Sequence, residues 1–345
     1  VRRAGLSVFF ISLIALIASI ACGIAIGPVL IPIDETFKIL FGSFFSLTGV
    51  DPTHALIIDQ VRLPRVLLAA LVGFALATCG AVMQGLFRNP LADPYLLGIA
   101  SGATAGAALV IILQWDTIAL ALPVGSFLGG LLAVAMVYQL SRGRFGRLDN
   151  LTLILAGVAL AALFSAVSSF LLYVANNDET RRIVFWVLGG LGGAQWSHVK
   201  SLFFIVLIGF TVMLAFAREI NALILGEEMA THLGVQPESV KKILMLTATL
   251  ITAGAVAFAG TIGFIGLIIP HAVRWIVGPN NRILIPVSGL CGATLLIACD
   301  TAARTVVQPA EIPVGIITAL IGAPFFLLLL KRHRHLSAAH WSERT

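Results

Sequence analysis

The residues able to do acid–base, nucleophilic or ligand chemistry are few in this sequence, and most lie at the ends of apolar stretches. Of seven histidines, His333, His335 and His340 fall in a basic tail. The cluster Lys331-Arg332-His333-Arg334-His335 reads as a positive stop after an apolar run rather than a metal site. His271 follows Pro270 at the end of another such run and reads as structural. Asp300 and Arg304 stand four apart, a spacing that lets them pair along one helix face. Arg62 and Arg65 bracket Leu63-Pro64 where a further apolar run begins. These three arginines at helix ends are candidates for a cationic docking surface. No Gly-x-x-x-x-Gly-Lys-Ser/Thr loop, His-Glu-x-x-His or Gly-x-Ser-x-Gly occurs, so the chain has no evident nucleotide site, zincin motif or nucleophile elbow. The cysteines Cys22, Cys79, Cys291 and Cys299 each sit in an apolar run without a Cys-x-x-Cys pair and read as small buried residues.

The elements that carry these residues follow from composition. Of 345 residues, 59% are hydrophobic and 11% charged, and mean hydropathy is +1.02. Soluble domains carry roughly 25% charged residues. This balance excludes a soluble globular enzyme, a disordered chain and a disulfide scaffold. Apolar runs fall at about 6–31, 62–86, 95–113, 117–140, 150–174, 196–217, 243–260, 262–277, 283–303 and 312–330. A spanning segment must satisfy its own backbone hydrogen bonds, so each run is predicted to be a helix. The expected fold is therefore an all-α polytopic membrane protein of about ten spans. The 33 glycines suit close helix packing in a membrane. The run after Arg2-Arg3 is longer than a signal-peptide core, so a retained first span is expected.

Orientation follows from Lys and Arg. With the N-terminus inside and ten alternating spans, 15 of the 22 basic residues fall on the inner side, which predicts two cytoplasmic termini. The net charge of +6 thus reflects orientation, not nucleic-acid binding. Two hydrophilic segments are long enough to hold structure, 34–61 outside and 218–242 inside. In the inner one, Gly226 and Gly234 flank a short amphipathic stretch. Glu227 and Glu228 occupy a first helical turn, and Met229 and Leu233 lie four apart on one face. This predicts one or two short surface helices that dock a partner. Taken alone, the residues suggest a transporter or channel subunit with no energy source of its own. An ion-coupled carrier, an intramembrane enzyme and a permease driven by a separate ATPase are the rivals. The first usually needs an acid near mid-membrane, and the acids here cluster in loops and at span ends. The second needs a reactive constellation that is not present.

Several motifs then decide among these. Arg62-Leu63-Pro64-Arg65, Gly80-Ala81-Val82-Met83-Gln84-Gly85 and Arg88-Asn89-Pro90-Leu91-Ala92-Asp93-Pro94-Tyr95 are followed by Gly189-Gly190-Leu191-Gly192-Gly193. Gly260-Thr261-Ile262-Gly263-Phe264, Ala310-Glu311-Ile312-Pro313 and Ile321-Gly322-Ala323-Pro324 complete the series. Together, over about 60–332, they resemble the permease subunits of ABC importers for vitamin B12, haem and ferric siderophores, the type II ABC importers. The resemblance implies a single transmembrane permease domain over 1–345 with ten spans, two short cytoplasmic coupling helices and a basic tail at 331–345. It implies a second permease copy, two ATPase subunits, an external binding protein and a cargo of iron chelate or cobalamin. It implies no cofactor on this chain, with ATP and magnesium on the ATPases, and a place in the bacterial inner membrane. Leu225, Gly226, Glu227, Glu228, Met229, Ala230, His232, Leu233 and Gly234 match the coupling element. Arg62, Arg65 and Arg304 match arginines that receive the binding protein. Asn89 and Leu91, with Asn150 and Leu151, match the cytoplasmic gate. Asn150 and Leu151 replace the small hydroxyl residues of some relatives.

Overall fold

The computed structural model describes residues 2–45, 50–118, 120–141 and 150–342, with side chains over 5–40, 50–118, 120–141, 151–328 and at 331. Its helices are α1 (Arg2–Ala25), α2 (Ile33–Phe45), α3 (Pro52–Leu56), α4 (Leu63–Leu86), α5 (Ile99–Ile112), α6 (Ala121–Leu140), α7 (Asn150–Val174), α8 (Asn177–Val187), α9 (Trp196–Ala215), α10 (Ala217–Ile224), α11 (Glu227–His232), α12 (Pro237–Ala259), α13 (Ile265–Val277), α14 (Asn281–Thr305) and α15 (Val314–Ser342). Among the described residues, seven helical stretches are long and apolar enough to cross a membrane. These are Gly5–Ala25, Pro52–Leu86, α6, α7 from Leu151, α9, α12 and α14. Three shorter apolar helices are α5, α13 and Val314–Leu328 of α15. Each of the ten predicted runs coincides with one of these ten.

Two local features differ from expectation. A π-helical turn, Ile57–Arg62, fuses α3 to α4, so the second span begins at Pro52 and not at residue 62. The short helix α8 lies between two predicted spans. Its start is fixed by a capping box in which the Glu179 amide donates to Asn176 Oδ1 at 2.9 Å and the Asn176 amide donates to Glu179 Oε2 at 3.0 Å. Asn and Glu at this spacing satisfy two amide donors that the first turn leaves free.

The core is built on α4, α12 and α14. Their most apolar windows are 78%, 72% and 67% buried, against 17–28% for α1, α6, α7 and α9, so the first three are central and the others peripheral. This ordering also explains Cys22, which is exposed on α1, while Cys79 and Cys299 on α4 and α14 are buried. Glycine sets the closest approaches. A Cβ on Gly73 of α4 would run into the carbonyl of Gly292 on α14, and the reverse holds. Gly102 of α5 and Gly129 of α6 face each other in the same way. Without a hydrophobic force between helices in lipid, such backbone proximity supplies the packing.

The short spans leave irregular backbone inside the protein, and side chains satisfy it. Tyr95 Oη donates to the Ile262 carbonyl at 3.0 Å. Gln84 Nε2 donates to the Leu267 carbonyl at 3.0 Å. Unpaired carbonyls at this depth would find no water. Between the first two spans, Glu35 of α2 holds the start of α3. Its Oε1 accepts from the Asp51 amide at 2.8 Å, and its Oε2 lies 2.8 Å from His54 Nδ1. The Asp51 amide first, then His54, keep the Glu35 carboxyl below its ordinary value of 4.5.

Two outcomes are expected. Gly292→Leu should separate α4 from α14 and cost about 1–3 kcal/mol or more by overpacking, read as a lower thermal midpoint in detergent. Gly263→Ala, where a Cβ meets nothing within 4 Å, should leave the midpoint unchanged, and equal effects would contradict the close-packing account. Separately, a depressed carboxyl stabilises the fold above its ordinary value and loses that contribution as pH falls through the folded value. The Asp51 amide should therefore keep its hydrogen-exchange protection above the ordinary Glu35 value of 4.5 and lose it as pH falls through the lower folded value. Glu35→Gln should show reduced protection already at the higher pH. Protection that does not change with pH would refute the link.

Candidate functional site

The three arginines singled out in the sequence do come together, but inside the protein. Arg62, Arg65 and Arg304 are 3%, 6% and 3% exposed. Arg62 Nη1 donates to the carbonyls of Ile24 and Ala25 at 2.8 and 2.9 Å, and Nη2 donates to that of Val29. Gly27 makes room for this guanidinium, since a Cβ there would lie 2.8 Å from Arg62 Cζ. Arg304 Nη2 donates to the Gly23 carbonyl at 3.0 Å, and its Nε lies 3.1 Å from Asp300 Oδ2. Two arginines thus cap the last turn of α1, where orphan carbonyls and the negative end of the helix dipole attract cations. Arg65 spans the other side. Its Nη2 lies 3.0 Å from Asp300 Oδ1, and its Nη1 lies 2.9 Å from Glu311 Oε2.

The three arginines expected to form a cationic docking surface are thus drawn into the protein. The Asp300–Arg304 pair forms as the spacing predicted, but Asp300 is shared with Arg65, and all three guanidiniums are engaged within the subunit. Helix-end position in a sequence does not say which way a side chain turns. Of this cluster, Glu311 is the member that reaches outward, with a side chain 42% exposed. It borders a cavity of about 300 Å³ whose lining includes Arg65, Trp186, Gly190, Gly192, Gly260 and Pro313. The Gly190 amide donates to the Ala259 carbonyl at 2.9 Å, joining this cavity's wall to the end of α12.

The opposite end of the molecule carries the two predicted short helices, α10 and α11. Helix α10 is anchored: Ile220 is fully buried, and Asn221 Oδ1 accepts from the Asn281 amide at 2.9 Å. Helix α11 is bounded by glycines with positive φ, +119° at Gly226 and +81° at Gly234. At its end the Val235 amide donates to Ala230 and the Gly234 amide to Thr231, a Schellman pair. Ala230 faces inward and is fully buried, while Glu228 and His232 are exposed. Leu225, Met229 and Leu233, spaced four apart, are 68%, 51% and 60% exposed and form an apolar ridge. Glu227 Oε1 lies 2.6 Å from Lys241 Nζ, and the Lys241 side chain is only 5% exposed. No local sequence pattern announces this pair, because 14 residues separate the partners.

Of the expected gate residues, Asn89 and Leu91 share one turn, with the Leu91 amide donating to Asn89 Oδ1 at 2.9 Å. Arg88, just before them, extends its guanidinium beside Gly226, so this turn adjoins α11. Leu151 is 65% exposed at the start of α7, and the Asn150 side chain lies outside the described residues. Among the described residues, no group of three His, Cys, Asp or Glu side chains is placed to hold a metal.

The profile of the FecCD transport family matches residues 14–332. The chain belongs to that family. It is 47% identical over 283 residues to the cobalamin import system permease protein BtuC of Halobacterium salinarum, a match that covers 82% of this chain and 75% of that one. It is 45% identical to the hemin transport system permease protein HmuU of Yersinia pestis, over 80% of this chain and 83% of that one. A solved structure described as an inward-facing conformation of a metal-chelate type ABC transporter superposes with a TM-score of 0.83 at 34% identity, covering 94% of this chain and 99% of that one. This FecCD member is thus a multi-pass ABC transporter permease, a transport subunit and not an enzyme.

Breaking one partner of the buried cluster should be costly. Asp300→Ala leaves two buried guanidiniums without their shared carboxylate, with an expected loss of about 3–5 kcal/mol. Glu311→Gln, at a half-exposed partner, should cost about 1 kcal/mol or less. Thermal unfolding of the two purified variants would test this, and similar small losses for both would argue against a structural role for Asp300.

Proposed function

We propose that this chain, paired with a second copy, forms the transmembrane path of an ATP-driven importer in a bacterial inner membrane. An external binding protein delivers the cargo, an iron chelate such as haem or a ferric siderophore, or cobalamin, and two ATPases drive its passage along the dimer axis. This chain needs no cofactor for the task, since ATP and magnesium sit on the ATPases.

The observation that carries this reading is the α10–α11 element. An apolar ridge at Leu225, Met229 and Leu233 on a short exposed helix pair is a surface that a globular partner would bury. The Lys241–Glu227 pair connects that ridge to α12, whose far end meets the outer cavity. A push on α11 would therefore be felt along a rigid span. The Asn89–Leu91 turn beside α11 suits an inner gate moved by the same partner. At the other end, Glu311 and the cavity it borders offer the external protein a charged, contoured surface, with Arg65 behind it and with Arg62 and Arg304 holding the frame. The relatives named for cobalamin and hemin import support the cargo class. No observation favours the ion-coupled alternative, because Asp300, the buried acid on α14, is already held by two guanidiniums.

The reading is tested in proteoliposomes holding this chain, its ATPase and a binding protein. ATP-dependent uptake of haem, a ferric hydroxamate or cobalamin is expected. Met229→Asp should weaken ATPase association by roughly 1–2 kcal/mol, about tenfold, while the permease stays folded. Uptake driven by an ion gradient without ATPase would overturn the proposal.

A further inference from the structure

A second cavity lies away from the cargo path, between α1 and α14. It has a volume of about 410 Å³ and is lined by Gly5, Leu6, Phe9, Asn280, Arg282, Ile283 and Pro286. Its depth is set by where these residues fall. Gly5, Leu6 and Phe9 occupy the first two turns of one membrane-crossing stretch, and Arg282, Ile283 and Pro286 the first two turns of another. The cavity therefore begins at the level of lipid headgroups and extends toward the acyl region. It lies at the same end as α10, since Asn221 bonds both Asn280 and Asn281.

The chemistry of the lining is split. Leu6, Phe9, Ile283 and Pro286 make an apolar cleft, and Gly5 draws the two helices together beside it, since a Cβ there would come within 2.8 Å of Ile283 Cδ1. Arg282 is exposed at the mouth. Arg2 and Arg3 precede Gly5 in the sequence, which adds to the positive charge at this end. A guanidinium at headgroup level, above a narrow apolar cleft, matches one kind of ligand. We propose that the α1–α14 cleft is a binding site for a single anionic phospholipid, of the phosphatidylglycerol type. Arg282 pairs with the phosphate, and one acyl chain lies along Leu6, Phe9 and Pro286. Basic pockets between spans on the cytoplasmic side are suited to anionic headgroups. The site is independent of the cargo and of the ATPase reading.

The test is native mass spectrometry of the purified permease in mild detergent, titrated with phosphatidylglycerol or phosphatidylcholine. One phosphatidylglycerol per subunit should be retained in preference to phosphatidylcholine. Arg282→Gln should lower that retention at least fivefold, Arg282→Lys should preserve most of it, and Leu6→Trp should lower it by filling the cleft. Thermal unfolding of each variant confirms that it is folded. Equal retention of both lipids would mean a non-specific annulus and overturn the proposal. So would undiminished phosphatidylglycerol on Arg282→Gln, or displacement by free glycerol phosphate at the same concentration as the lipid, which would mark a phosphate site without an acyl requirement.

Discussion

Asp300 lies between the guanidiniums of Arg65 and Arg304, on a helix that is two-thirds buried in an apolar protein. None of these charges can be left alone there, because desolvation of an isolated ion exceeds what packing can repay. The arrangement resolves this by making each charge finish another element's hydrogen bonding. Arg304 and Arg62 take up the carbonyls at the end of α1. Arg65 joins α4 to α14 and to the segment before α15. The cluster therefore fixes where α1 stops, how α4 meets α14, and where Glu311 stands at the cavity. Those placements in turn let Gly73 and Gly292 meet without side chains between them.

Much of this fold could be read from the sequence, because a bilayer leaves few alternatives. Ten apolar runs became ten apolar helices, since a run long enough to leave water must bond its own backbone. The glycine-bounded stretch at 226–234 became a helix with the caps its residues favour. What could not be read was direction around a helix axis. Arg62, Arg65 and Arg304 sit at helix ends yet turn inward: Arg65 turns to Asp300 and Glu311, while Arg62 and Arg304 answer the carbonyls of Ile24, Ala25 and Gly23. Those carbonyls belong to α1, which is distant in sequence. Lys241 was equally silent, as its partner lies on a separate helix. In contrast, α8 is legible: Asn176 and Glu179 spell a capping box in plain sequence.

The same physics links the two ends of the molecule. Helix α12 starts beside α11, where Lys241 meets Glu227, and ends at Gly260, whose φ of +68° turns the chain against Trp186 and Gly189. The Thr261 hydroxyl donates to the Val187 carbonyl, and the Gly190 amide donates to Ala259. A buried, well-packed helix does not compress, so force applied at α11 has little to absorb it before the outer cavity. At this outer end Gly189 and Gly260 hold positive φ, and a Cβ on either would run into backbone oxygen, so the rod is fitted closely against Trp186 and Thr261. In the importer proposed above, α12 would then carry a push from one end to the other while α4 and α14 stay closed around Asp300.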